Sequence, residues 1–150
     1  MKNDTIITTA GRDPKNNHGI VTPPVYHAST IISETVAELR SKREKRWEPG
    51  VYTYGRQGTP TSEALERAMA EVEGGWRGMV VASGLAAINA AMLAFLKSGD
   101  HVLMVDTTYG PARNFCNLFL ARFGVETTFY DPTIGAGITD LIQENTRIVY

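Results

Sequence analysis

Three short stretches hold the residues whose types and spacing could do chemistry. In "VYTYGRQGTPT", Val51 to Thr61, two tyrosines and an arginine sit among two glycines and a proline. The stretch shows neither the alternation of a strand nor the 3.6-residue beat of a helix. Gly55 and Gly58 bend the loop that carries Tyr54 and Arg56. A guanidinium is a forked, always-charged donor suited to phosphate, and a hydrogen bond to such an ion contributes roughly 1.5–3 kcal/mol. A helix dipole contributes roughly 0.3–1 kcal/mol, so Arg56 is the residue whose loss should matter most. A solvated arginine on a surface loop fits the same letters.

In "VVASGLAAI" a buried strand ends, Ser83 and Gly84 turn the chain, and an apolar helix begins. The free N–H groups of that helix start point into the crevice at the strand's carboxyl end, where an anion, phosphate above all, can sit. Gly84 lets a ligand approach the backbone, and Ser83 adds a hydroxyl. A plain strand-to-helix turn capped by Ser83 accounts for the motif as well. In "VDTTYGPAR", Tyr109 follows the next strand at the same end of the sheet. Its ring can lie on a planar ligand, worth roughly 0.5–1.5 kcal/mol beyond its buried area, or serve as packing in a loop. A phosphate cup beside an aromatic lid suits a small phosphorylated ring. The chain has no G-x-G-x-x-G and no G-x-x-x-x-G-K-[ST], which argues against a dinucleotide or a nucleoside triphosphate.

The remaining reactive residue types lack a setting. Cys116 lies on the stripe Ala112, Phe115, Cys116, Phe119, Phe123 and reads as a core thiol. His18, His27 and His101 are far apart without ligand spacing, so no metal site is expected. Asp100 and Asp106 flank a strand without an evident task. The run "RSKREKR" reads as a solvated helix face, because fifteen bases against sixteen acids leave a formal charge of -1. That balance offers no general attraction to nucleic acid or to an anionic membrane. One cysteine and the lack of an apolar leader point to a reducing cytoplasm.

The elements that must position these residues alternate. Residues 1–30 read as an extended arm, punctuated by Gly11, Pro14, Gly19, Pro23 and Pro24. A weak helix over 33–47 follows. Thr59 as N-cap, Pro60 at the first helical position and Glu63 in the first turn open a helix that Gly74 and Gly75 end. Its stripe is Ala64, Leu65, Ala68, Met69 and Val72. Strands are expected at "GMVVA", "HVLMVD", "VETTFY" and "RIVY", with helices over 85–96, 112–123 and 138–144 between them. This is α/β spacing, and it predicts a mainly parallel sheet with helices on both faces. The helix over 85–96, apolar on nearly every side, is expected deep in a layer. A sheet whose last strand starts at Arg147 looks truncated. Residues 1–58 form an N-terminal arm and contact segment; residues 59–150 form the first part of the α/β domain.

Assembled in order, "GIVTPPVYHAST", "YTYGRQGTPT", "LERAMAEVEGG", "ASGLAAINA", "SGDHVLMVDTTYGP" and "FGVETTFYDP" make the chain resemble the fold-type I pyridoxal-phosphate enzymes of Cys/Met metabolism, the trans-sulfuration family. "FYDPTIGAGI" with "HVLMVDTTYGPARNFC" looks most like the bacterial cystathionine β-lyase branch. The resemblance implies that pyridoxal 5'-phosphate is the cofactor. It implies that Tyr54 and Arg56 reach the cofactor phosphate of a neighbouring subunit. The turn at Ser83, Gly84 and Leu85 holds the chain's own cofactor phosphate on the same grounds. Tyr109 stacks on the pyridine ring and helps move protons, and the arm packs within a homotetramer. The implied reaction is β-elimination of cystathionine to homocysteine, pyruvate and ammonia, on the route to methionine. The family's Schiff-base lysine, its ring-nitrogen aspartate and its substrate-carboxylate arginine have no counterpart in these 150 residues. The stretch therefore resembles the N-terminal portion of such an enzyme, inactive alone. Other readings are γ-elimination or γ-replacement within the same family, and a non-catalytic module that binds a phosphorylated metabolite.

Overall fold

The computed structural model describes residues 3–150. The chain forms two compact units, residues 1–80 and 81–150, each described by itself.

The first unit holds three helices, α1 (Asn3–Thr9), α2 (Val36–Glu44) and α3 (Pro60–Glu73), joined by irregular chain. The arm is therefore not extended throughout, because Asn3–Thr9 forms about two helical turns. Thr9 stabilises α1 by donating its hydroxyl to the Thr5 carbonyl at 2.7 Å. Gly11, at φ 74°, ends that stretch against α3, where a Cβ would lie 2.6 Å from the Ala64 carbonyl oxygen. Only glycine accepts both the turn and the approach. Thr35 caps α2 by accepting the Glu38 N–H at 3.1 Å. Helix α3 starts and stops at the expected residues: the Thr59 N–H donates to Ser62 Oγ at 3.0 Å, and Gly74 adopts φ 66°. The expected stripe divides. Ala64 and Ala68 face Gly11, whereas Leu65, Met69 and Val72 stay about half exposed.

The second unit is a three-stranded parallel sheet of order β2–β1–β3, with β1 (His101–Val105), β2 (Glu126–Tyr130) and β3 (Thr146–Val149). Helix α4 (Gly84–Phe95) precedes β1, and α5 (Gly110–Asn114) follows it. Val102 and Met104 point to one face of the sheet, where they pack with Met92 of α4 and with Cys116, Leu120 and Val125. Along residues 110–123 the helix changes pitch, from α5 through a π-helical stretch at Phe115–Phe119 to a 3-10 turn at Leu120–Phe123. Gly124 at φ 76° ends it.

Further expectations differ from this fold. The helix expected over 138–144 is a 3-10 stretch at Gly135–Leu141. "GMVVA" is not a strand: Met79 is 75% exposed, and the Val80 N–H donates to Glu66 Oε1 at 3.1 Å. A backbone donor held by a side chain is unavailable to a ladder. Helix α4 is likewise less buried than its apolar sequence suggests. Only its Ile88, Met92 and Leu96 side meets the core, and Phe95 is 73% exposed.

His101 is fully buried at the start of β1. Its Nδ1 lies 2.8 Å from Thr146 Oγ1 on β3, and its Nε2 lies 2.9 Å from Thr128 Oγ1 on β2. Next to it, β3 carries one extra residue, Arg147, between the pairs His101–Thr146 and Val102–Ile148. Arg147 Nε comes within 3.7 Å of the buried Asp100 carboxylate, which also accepts the Lys97 N–H at 2.8 Å.

Among the described residues, no helix is long and apolar enough to cross a membrane. Cys116 is buried, and removal from solvent pushes its thiol above the ordinary range. It should therefore resist a disulfide reagent at pH 8 and react at once on unfolding; rapid labelling of the folded chain contradicts this placement. Met92→Ala should lower stability by about 2–5 kcal/mol in a denaturant titration.

Candidate functional site

In the first unit, the segment leading to Tyr54 and Arg56 is pinned from two directions. Glu63, in the first turn of α3, accepts the Tyr52 phenol and, through both carboxylate oxygens, the Gly50 N–H at 3.1 Å. A charge-assisted bond of this kind contributes roughly 1.5–3 kcal/mol. From the other side, Tyr54 bridges Thr30 in antiparallel fashion, and the Gly55 N–H donates to the Ser29 carbonyl at 2.7 Å. A Cβ on Gly55 would lie 1.9 Å from the Ala28 carbonyl oxygen, so the close crossing requires glycine. Residues 55–57 then turn as a short 3-10 helix, and Gly58, at φ 147°, releases the chain into α3.

The structure brings Tyr54 and Arg56 together. The Arg56 guanidinium lies 5.6 Å from the centroid of the Tyr54 ring. Both side chains are exposed, whereas Tyr52, two residues earlier, turns inward to Glu63. Arg46, Tyr52, Tyr54, Gln57, Glu63 and Arg77 line a shallow polar recess here. The sequence offered Glu63 only as an acid at a helix start. Its role as anchor of residues 50–52 was not legible, because it depends on how the loop folds back.

In the second unit, Ser83 is the N-cap of α4: its Oγ accepts the Ala86 N–H at 3.1 Å, and its carbonyl accepts the Ala87 N–H at 3.0 Å. Of the helix's first four N–H groups, those of Gly84 and Leu85 are left without a partner among the described residues. Gly84 itself is exposed, and a Cβ built on it meets nothing within 4 Å, so the start of the helix is open there. Two aligned N–H groups at a positive helix end facing open space fit an anionic, phosphate-bearing group. Met92, with Ile88 and Leu96 packed beside it, joins the cluster that holds Val102 and Met104 of β1. The carboxyl end of β1 leads into the loop that carries Tyr109. Tyr109 is at that end, just before α5, with its side chain 60% exposed. Asp106 and Arg113, given no task by the sequence, form an ion pair around it.

Tyr54 and Arg56 belong to the first unit; Ser83, Gly84, Leu85 and Tyr109 belong to the second. The profile of the Cys/Met metabolism PLP-dependent enzyme family matches residues 4–150. The chain belongs to this family. It is 40% identical to cystathionine beta-lyase MetC of Escherichia coli K12, over 99% of this chain and 38% of that protein. It is 38% identical to L-methionine gamma-lyase of Fusobacterium nucleatum, over 100% of this chain and 38% of that protein. Among solved structures it superposes on cystathionine gamma-lyase from Lactobacillus plantarum complexed with L-serine with a TM-score of 0.85. That match has 29% identity and covers 100% of this chain and 36% of that one. The chain thus spans well under half the length of these relatives. The α/β fold and pyridoxal phosphate as the family's cofactor accord with the sequence reading.

Burial, and then the Glu63 carboxylate beside it, push the Tyr52 phenol well above its ordinary value. The folded state therefore holds this proton more tightly than the unfolded state. Stability is fully present below about pH 10, the unfolded phenol's range, and falls as pH rises beyond it. In an alkaline absorbance titration at 295 nm, one of the six tyrosines should ionise only with unfolding. Tyr52→Phe should remove that late component; its persistence in the variant would assign it elsewhere.

Proposed function

We propose that this sequence forms part of a pyridoxal-phosphate-dependent carbon–sulfur lyase that splits cystathionine by β-elimination, giving homocysteine, pyruvate and ammonia. The observation that carries this reading is the pair of unpartnered N–H groups at Gly84 and Leu85 facing open space, in a chain matched to the family over residues 4–150. Identity of 40% to the Escherichia coli β-lyase across nearly the whole chain favours β-elimination.

Bound pyridoxal phosphate supplies an electron sink for the carbanion formed at the substrate's α-carbon. The residues of this chain hold and aim it. The Gly84 and Leu85 N–H groups donate to the phosphate. Ser83 Oγ, which accepts from Ala86, keeps its own proton free to donate there too. Tyr109 would stack on the pyridine ring, and its phenol would supply or take up a proton there. Tyr54 and Arg56, exposed side by side, serve the phosphate of a neighbouring subunit. Residues 1–58 act as the arm and contact segment of a homotetramer working in the cytoplasm. The half-exposed stripe Leu65, Met69 and Val72 and the 92%-exposed Trp76 support a subunit contact, since such apolar surface is uncommon on monomers. The group that binds the cofactor covalently lies outside these residues, so the 150-residue chain alone should yield no stoichiometric borohydride-fixed adduct.

In the protein expressed from its whole reading frame, cystathionine should yield pyruvate. 2-Oxobutanoate instead would favour γ-elimination, the second reading suggested by the Fusobacterium relative. Arg56→Ala should weaken cofactor retention by on the order of tenfold to a hundredfold, the loss of a charged hydrogen bond. Tyr109→Phe should lower kcat more than cofactor affinity. Unchanged retention in the arginine variant, measured by dialysis and absorbance, would remove Arg56 from the phosphate site.

A further inference from the structure

Tyr109 has no side-chain hydrogen bond among the described residues, and its ring is 60% exposed. What the fold fixes is its Cα–Cβ direction, set by the backbone that carries it. That backbone, from Asp106 to α5, is closed by one side chain. Arg113 Nη2 donates both to the Asp106 carbonyl and to the Asp106 carboxylate. The same guanidinium lies 3.9 Å from the centroid of the Phe129 ring on β2. Asp106 is itself tied to the end of β2, its N–H donating to the Tyr130 carbonyl at 2.8 Å. Within the ring so formed, the Thr108 N–H reaches the Val105 carbonyl at 3.1 Å, and the Arg113 N–H reaches the Tyr109 carbonyl at 3.2 Å. A single cation on α5 thus holds the loop's first residue and packs on the neighbouring strand.

We propose that Arg113 is the positioning residue for Tyr109, fixing the β1–α5 loop by clamping Asp106 over Phe129. This deepens the reading of Tyr109 as the residue that lies on the cofactor ring, and rests on it. Arg113 touches neither cofactor nor substrate in this account. Its charge is used up by Asp106, which distinguishes it from an anion-binding arginine.

The test is made on the protein expressed from its whole reading frame, with and without pyridoxal phosphate. Arg113→Met keeps much of the aliphatic stem and removes the charge and donors. It should speed hydrogen exchange at the Thr108 amide on the order of tenfold, the loss expected for breaking one such coupled pair, while the amides of Val102–Val105 keep their protection. Arg113→Lys, which restores a cation, should recover part of the loss. Asp106→Ala, which opens the clamp from its exposed side, should reproduce the effect if the arginine variant folds poorly. In the loaded protein, the visible circular dichroism of the cofactor should fall with the same ranking. Unchanged exchange at Thr108 in Arg113→Met overturns the proposal, as does a loss that extends equally to Val102–Val105. Faster exchange with unaltered dichroism keeps the clamp and instead sinks the reading of Tyr109 as the stacking residue.

Discussion

The second unit hangs on the first residue of its central strand. An imidazole placed out of reach of water must satisfy both ring nitrogens or lose roughly 1–3 kcal/mol for each group left unpaired. His101 meets that condition with hydroxyls from the strands on either side, Thr128 and Thr146. A neutral ring has one donor and one acceptor, and a threonine hydroxyl can play either part. A slip of one residue in β3 would replace Thr146 with Asn145 or Arg147, and one in β2 would bring Thr127 or Phe129 to the ring. Everything at the carboxyl end of the sheet inherits that alignment, since the loop before Tyr109 leaves β1 at Val105 and is tied to Tyr130 at the end of β2.

What the sequence made legible was local and periodic. The start and end of α3 follow from Thr59, Pro60 and Gly74, whose backbone preferences act without help from distant chain. β1 was readable as an apolar run and β2 as a stretch of threonines and aromatics, each between glycine and proline signals. The start of α4 at Ser83–Gly84 was readable because a small capping residue before an apolar run has few uses. The failures share a cause. "GMVVA" has the composition of a buried strand, but strand formation needs partners for its N–H groups, and Glu66 took one of them. Helix α4 has a sequence apolar all round, yet a single sheet face can cover only one side of it.

The candidate residues divide in the same way. Tyr54, Arg56, Gly84 and Tyr109 were visible from residue type and their place beside glycines. Glu63, Asp106 and Arg113 were not, because their work is done across folds in the chain. Glu63 gathers Gly50 and Tyr52, and Arg113 gathers Asp106 and Phe129. In both cases a charged side chain holds the backbone beside a candidate residue. Sequence spacing reports such roles poorly.

The changes of pitch between Gly110 and Gly124 carry a further consequence. The π-helical stretch is wound more loosely than an α-helix and the following 3-10 turn more tightly, so the two departures offset each other. Phe115, Phe119 and Phe123 consequently keep one line, with ring centroids 5.1 Å and 4.9 Å apart, while Cys116 and Leu120 stay inward. Adding or deleting a single residue here would carry the thiol and leucine out to solvent and bring phenylalanines inward. Across descendants of this sequence, length in that interval should vary far less than residue identity at its outward positions.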